Sequence, residues 1–379
     1  MEEVVLDYPI RVLHVVSKMS FGGVQSFIMN YYRHIDRSRV QFDFTVQSTE
    51  KGEFDEEIIM LGGRIHRIAP LYIDRKHFTI DLEALLTSCP EYRIIHTHQN
   101  FMNIVPLAIA KQRRIPVRIS HSHSNYRATS ISKTLQRAIF RKSIRFFATD
   151  CLACSKSSGK WLYGSSFGKH DNDAVIHNAI DLDHFTFNQE IRREIRNKLS
   201  IQDKYAIMHV GMFSPVKNHG FLLEIFNEFH KQNERSVLVL VGDGKGRATI
   251  EDKIHRLDLD EFVLLLGIRN DIPHLLMGAD CFVFPSANEG FPVAVVEAQA
   301  TGVPCLVSKE AVPPETNITG NVHFLSINDN PKYWANRIFS LSDGFVRRDM
   351  SELVTSSGYD IKTESEKLEN FYVKMAKKG

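Results

Sequence analysis

The sequence predicts an α/β protein of two Rossmann-like, doubly wound domains. Three observations carry this expectation. Short runs rich in Val, Ile and Phe alternate with helical patterns along the whole chain. The runs are mostly continuous rather than alternating, as in parallel strands covered by helices on both faces. They also fall into two successive series, one at residues 10–16, 42–46, 93–96, 117–120, 151–154 and 174–177, the other at 206–210, 237–241, 262–266, 281–284 and 305–307. Each series is enough for one parallel sheet.

These strands set the expected domains: residues 1–187, then 188–361, with a charged helical stretch at 190–199 leading into the second series. Residues 362–379 read as an amphipathic helix with Leu368, Phe371 and Met375 on one face, packing back on the first domain. A chain of 379 residues, 43% hydrophobic and 24% charged, can bury two separate cores. A net charge of +2 gives no global field for nucleic acid. The acidic start of the chain does not resemble a leader, and the apolar runs fall short of the roughly 20 residues that span a bilayer. Cys89, Cys151, Cys154, Cys281 and Cys305 are scattered. The Cys151/Cys154 pair lies in a strand-like stretch and reads as core, which fits a reducing cytoplasm.

The candidate site residues follow in chain order. Gly22 and Gly23 come directly after the first strand and open a helix. Lacking Cβ, they serve either a plain strand-to-helix turn or the close approach of main-chain N–H groups to phosphate. His96 and His98 end one strand and His121 and His123 another, each pair on one strand face. Four imidazoles could bind zinc, but the region holds no carboxylate to support them. One active-site histidine is the preferred reading, and no metal site is expected. Lys217 lies in the loop after the first strand of the second series, where α/β folds bind ligands. Gly242 ends the next strand. Glu289 and Glu297 bracket Gly290, Phe291, Pro292 and Val293. Pro292 suits the first helical position, and Val293 and Glu297 then share a helix face. One carboxylate in the loop and one a turn into the helix suit sugar hydroxyls, and the free N–H groups between them suit phosphate. The triplets Asp171–Asp173, Asp181–Asp183 and Asp258–Asp260 do not follow strands and read as solvated loops.

Glu289 and Glu297, with seven residues between them, form an E-x7-E motif that resembles the one in retaining glycosyltransferases of family 4. Gly22-Gly23, the segments Ile94-Ile95-His96-Thr97-His98 and Val117-Arg118-Ile119-Ser120-His121, and Leu266-Gly267-Ile268-Arg269-Asn270-Asp271 are similar to further stretches of that family. The resemblance implies the GT-B fold, with a cleft between the two domains, and a retaining transfer from a nucleotide sugar, UDP-linked by preference, to a glycan or lipid-linked acceptor in surface polysaccharide biosynthesis, with no obligatory cofactor. It implies that Lys217 neutralises the donor diphosphate and that Glu297 binds ribose hydroxyls. It places Glu289 with the backbone of Gly290, Phe291 and Pro292 on the donor sugar, Val293 N–H on phosphate, Ile268 and Arg269 near the base, His121 at the transferred sugar, and Gly23 against the phosphates. The sequence departs from many relatives at Met212, where they carry arginine. The rival reading, a sugar-nucleotide-binding protein with a decayed site, rests on that residue alone.

The acceptor is addressed by charge. From residue 92 to residue 149 there are eleven Arg and Lys and not one Asp or Glu. Lys133, Arg137, Arg141 and Arg145 recur at four-residue spacing, with Phe140, Ile144 and Phe147 among them. Such a helix is either a solvated domain face or a peripheral attachment to the anionic inner face of the plasma membrane.

Overall fold

The computed structural model describes residues 9–20, 22–124, 131–342 and 346–378, and the side chains among these except those of residues 131–138. The chain divides into two compact units, one of residues 1–179 with 361–379 and one of residues 180–360.

The first unit holds a seven-stranded sheet of β1 (Ile10–Val15), β2 (Val40–Val46), β3 (Ile65–Arg67), β4 (Ile94–Thr97), β5 (Val117–Ser122), β6 (Asp150–Ala153) and β7 (Asp173–Val175), in the order β3-β2-β1-β4-β5-β6-β7. Every pairing in it is parallel. The second unit holds β8 (Tyr205–Val210), β9 (Ser236–Val241), β10 (Val263–Leu265), β11 (Cys281–Phe284), β12 (Cys305–Ser308) and β13 (Val322–Leu325), in the order β10-β9-β8-β11-β12-β13, again all parallel. In both sheets the order reverses beside the first strand. Ligands of such sheets sit at that reversal, beyond the C-terminal strand ends. The relevant places are therefore the loops after β1 and β4 in one unit and after β8 and β11 in the other.

The central strands are buried throughout, as their continuous apolar runs require. Two strands, β3 and β13, had no counterpart in the sequence reading. Both are short edge strands with half-exposed residues, so neither presents a continuous apolar run. Tyr92 and Asp43 anchor the first unit from below: the Tyr92 hydroxyl donates to Asp43 at 2.9 Å, and Arg11 pairs with the same carboxylate at 2.9 Å.

The unit boundary differs from the expected 187/188. The turn Leu182–Phe185 belongs to the second unit, because Leu182 and Phe185 bury there and the turn touches helices Ile272–Gly278 and Val293–Ala300. The last helix, Ile361–Lys378, packs on helix Gly23–His34 and on β1 and β2. Leu368 and Tyr372 are its fully buried anchors, while Phe371 and Met375 are only partly covered. Its Glu369 pairs with Arg39 and accepts from the Asp36 N–H at 2.8 Å.

The basic helix Ile131–Phe147 does not present the face expected of it. Lys133 and Arg137 lie outside the described side chains. Arg141 donates to the Trp161 carbonyl at 2.9 Å, and Arg145 forms a two-pronged pair with Asp173 at 3.0 and 3.2 Å. Ile144 is fully buried, and Phe140 and Phe147 pack inward against Phe101 and the β6 core. The reason is the helix period: Arg141 and Arg145 share the Ile144 side of the helix. The opposite side exposes Ile139, Lys142 and Phe146. Lys111 covers the Phe146 ring at 3.5 Å from its centroid. Among the described residues, no helix is long and apolar enough to cross a membrane.

Candidate functional site

In the second unit, the loop after β8 folds over the ends of β9 and β11. Gly242 has φ +136°, and a Cβ there would stand 2.2 Å from the Gly211 carbonyl oxygen. Only glycine allows these two loops to touch. The 3₁₀ turn Pro215–Lys217 follows and ends at Asn218, held in the left-handed region at φ 56°. Asn218 is tied to the β11 loop by a bond from its side-chain N–H to the Pro285 carbonyl (3.2 Å). A second tie runs from the Ala287 N–H to the Val216 carbonyl (2.8 Å).

These ties bring Lys217 and Glu289 together. Lys217 Nζ stands 2.7 Å from Glu289 Oε1 and 4.6 Å from the centroid of Phe284. The lysine stem lies along the space a Cβ on Gly211 would enter. Helix Val293–Ala300 begins just beyond, with Pro292 as its N-cap rather than its first residue and no side chain capping its first turn. The first N–H groups of that turn have no intrahelical partner, except that of Val295, which donates to the Pro292 carbonyl at 3.1 Å. Phe291 stacks on Tyr359 at 5.4 Å and fixes the entry to the helix. Glu297 lies one turn in, largely buried, and burial pushes its carboxyl up to about 7.

The remaining expected residues are more peripheral. Ile268 is exposed beside Gly267, and Arg269 is paired with Asp271 at 2.6 Å. Met212 is likewise exposed. His209 and His219 were not singled out in the sequence. Both are buried beneath the Lys217 loop, His209 with its Nε2 and His219 with both ring nitrogens lacking a hydrogen-bond partner. The signal that could have found them is a histidine inside the apolar run of β8.

In the first unit, Gly22 caps helix Gly23–His34, and a Cβ at Gly23 would meet nothing within 4 Å. The histidines form one stacked cluster with His14 of β1. His14 Nδ1 is 3.0 Å from His98 Nε2, His98 Nδ1 is 2.8 Å from His123 Nε2, and His96 Nε2 is 3.1 Å from His121 Nδ1. Burial depresses the pKa of every one, so all five are neutral. Ring nitrogens of His14, His96 and His98, and of His98, His121 and His123, lie close enough to share a metal. They meet pairwise at hydrogen-bond distance, so a metal there would have to replace these contacts. His121, expected to face a sugar, is fully buried, whereas His123 at the end of the run keeps partial exposure.

The three Asp triplets have structural partners. Asp173 pairs with Arg145, Asp181 caps the turn Leu182–Phe185, and Asp258 occupies a left-handed turn position at φ 53°.

Both halves of the chain have counterparts among known proteins. Residues 21–184 match the model described as Glycosyltransferase Family 4, and residues 191–352 the one described as Glycosyl transferases group 1. A Bacillus subtilis chain named as a glycosyltransferase, EpsF, is 33% identical over 368 residues, 96% of each chain. An Escherichia coli relative, 26% identical over 97% of each chain, is named as a UDP-Gal:alpha-D-GlcNAc-diphosphoundecaprenol alpha-1,3-galactosyltransferase. The solved structure of Anabaena HepE in complex with UDP-glucose shares the fold, with TM-score 0.75 at 19% identity over 96% of this chain and 99% of that one. With both halves matched in sequence and a full-length relative one third identical, the chain belongs to the glycosyltransferases, with a GT-B fold and kinship to the two families of those models.

Proposed function

We propose that the enzyme transfers a sugar, with retention at the anomeric carbon, from a UDP-sugar to a glycan or lipid-linked acceptor in surface polysaccharide assembly. The observation that carries this is the Lys217–Glu289 pair set at the uncapped start of helix Val293–Ala300, with Glu297 one turn further. A cation and free N–H groups suit a diphosphate, and the two carboxylates suit hydroxyls. Val293 N–H and Lys217 take the diphosphate, Glu297 the ribose, and Glu289 with the backbone of Gly290, Phe291 and Pro292 the sugar. Gly242, Ile268 and Arg269 border the nucleotide. Gly22 and Gly23 approach the phosphates, and His121, whose Nε2 is buried in this structure, contacts a sugar hydroxyl once that nitrogen is uncovered. Retention follows if the leaving diphosphate takes the acceptor's proton on the face it departs from, with Lys217 stabilising the charge that develops.

The UDP preference draws on HepE, whose complex holds UDP-glucose, and on the E. coli relative, named for a UDP-Gal donor and a diphosphoundecaprenol acceptor. A Staphylococcus aureus relative, 24% identical over 96% of this chain, is named for capsular polysaccharide biosynthesis. An acceptor in the membrane fits peripheral attachment to an anionic surface. In this reading the attachment falls to the outer side of the basic helix, where Lys142 is exposed beside Ile139 and Phe146. The test is a thermal-shift series with UDP, GDP and ADP and their sugars, followed by product analysis. A larger shift with a UDP-sugar and an α-linked product from an α-linked donor support the proposal. A larger shift with a GDP-sugar reverses the donor, and an inverted product removes the retaining mechanism.

A further inference from the structure

We infer that Tyr372, on the C-terminal helix, acts through His96 to fix the tautomer of His121, so that His121 carries its proton on Nε2. The three side chains form a continuous line. The Tyr372 hydroxyl is 2.7 Å from His96 Nδ1, and His96 Nε2 is 3.1 Å from His121 Nδ1. All are at most 1% exposed. The His96 and His121 rings stack 5.2 Å apart and within 10° of parallel, which holds the N···N contact in register.

The direction of the line follows from counting protons. A neutral imidazole has one donor and one acceptor, and a phenol always has a proton to place. If Tyr372 donates to His96 Nδ1, His96 carries its proton on Nε2 and donates to His121 Nδ1. His121 is then protonated on Nε2, and this N–H is the one group in the line left without a conventional partner. Phe27 packs nearly perpendicular to the His121 ring, with centroids 5.1 Å apart and planes at 75°. If the line ran the other way, two groups would be stranded in the interior, the Tyr372 O–H and a bare Nε2 on His121. Orphaned buried donors are the rarer and costlier case. Burial also keeps Tyr372 a neutral phenol and both imidazoles uncharged, so the count holds near neutral pH. The neighbouring histidines do not compete, because His14, His98 and His123 bond to one another through the nitrogens that face inward.

The consequence is that a residue on the last helix, over 250 positions from β5 in sequence, decides whether His121 offers a donor or an acceptor. A fixed Nε2–H can donate to a hydroxyl oxygen of the sugar but cannot accept from one. That consequence rests on the sugar contact proposed above; the relay does not. Tyr372 is thus a positioning residue.

The test is NMR of the full-length chain with isotopically labelled histidine ring nitrogens, which reads the tautomer of each imidazole directly, in wild type and in Tyr372→Phe. Phe keeps the ring that packs edge-on against Phe42 and removes only the hydroxyl. In wild type, His96 and His121 should both be protonated on Nε2. In the variant, His121 should populate both tautomers, and kcat should fall by about 2- to 10-fold, the range of one net hydrogen bond, with a smaller change in KM for the nucleotide sugar. A wild-type His121 protonated on Nδ1 overturns the inference without any variant, as does an unchanged tautomer in Tyr372→Phe. A shifted tautomer with unchanged kinetics upholds the relay and removes His121 from the sugar site.

Discussion

Lys217 and Glu289 neutralise each other: the ammonium stands 2.7 Å from the carboxylate, both largely buried. In the proposed reading, a diphosphate that takes Lys217 competes with Glu289 for the ammonium, and a carboxylate released by it becomes available to sugar hydroxyls. Donor binding in that reading is an exchange of partners rather than the filling of a bare cation site. With Met212 where the family resemblance leads one to expect arginine, Lys217 would act there without a neighbouring guanidinium.

Two substitutions separate the partners. Lys217→Ala should reduce kcat by about 10²- to 10³-fold, the usual loss when a group stabilising developing charge is removed, and should weaken UDP binding as well. Glu289→Gln should also impair transfer, yet bind UDP as tightly as wild type or more so, since Lys217 no longer has a competing anion. Calorimetric titration of UDP into both variants checks this. Weaker UDP binding by Glu289→Gln would show that the carboxylate supports the lysine instead of competing with it.

Glu297 makes a pH prediction. Its carboxyl is raised to about 7 by burial, above the unfolded value of roughly 4.3, so the folded state holds the proton more tightly. The sign follows: this group's contribution is fully present below about pH 4.5 and is lost as pH rises through 7. Glu297→Gln should therefore melt at higher temperature than wild type at pH 8, by an amount equivalent to about 1–2 kcal/mol once residual solvent contact is allowed for, and at nearly the same temperature at pH 5. The same variant should bind UDP more weakly. A lower melting temperature at pH 8 would mean the carboxylate is already well partnered.

The E-x7-E pair, Lys217 and both glycine loops were legible because each sits at the end of an apolar strand, and that local pattern is written in the sequence. The unease of a glutamate on an apolar helix face was legible too, and the structure gives it a cause in the raised Glu297 carboxyl. The edge strands β3 and β13 were hidden by their half-exposed, mixed composition. The histidines read as two pairs on two strands. Their joining with His14 and Tyr372 into hydrogen-bonded lines depends on the strand order β1-β4-β5 and on the return of the last helix, which no local window contains. The direction of Arg141 and Arg145 was equally hidden, because four-residue spacing gives a common face but not which way it points.

Activity should survive a chelator. The Asp triplets are engaged as an ion-pair partner, a helix cap and a turn, and none lies in the loops after β8 or β11 that hold Lys217 and Glu289. Transfer measured with excess EDTA should match the untreated rate. Complete loss, restored by magnesium or manganese, would require a metal in the reaction.

Arg145 distinguishes a structural role from a lipid-binding one. Its guanidinium holds Asp173, whose side chain is fully buried and whose other contact is the Gly168 N–H at 2.9 Å. Removing one partner of a buried pair leaves an uncompensated charge, and the partial exposure of Arg145 moderates the cost. Arg145→Gln should therefore lose about 2–3 kcal/mol of stability, and Asp173→Asn in the same chain should restore much of it. Binding to anionic vesicles should be unchanged by Arg145→Gln in protein that remains folded. By contrast, Lys142→Gln should weaken vesicle binding without lowering the melting temperature, because a basic residue near such a surface contributes about 1 kcal/mol. The loss should shrink as salt rises, since the attraction fades within a Debye length. Co-sedimentation at low and physiological salt, paired with melting curves, reads both effects. Vesicle binding lost in Arg145→Gln and kept in Lys142→Gln would put the lipid contact on the inward face, and no binding by wild type would leave a soluble acceptor as the substrate.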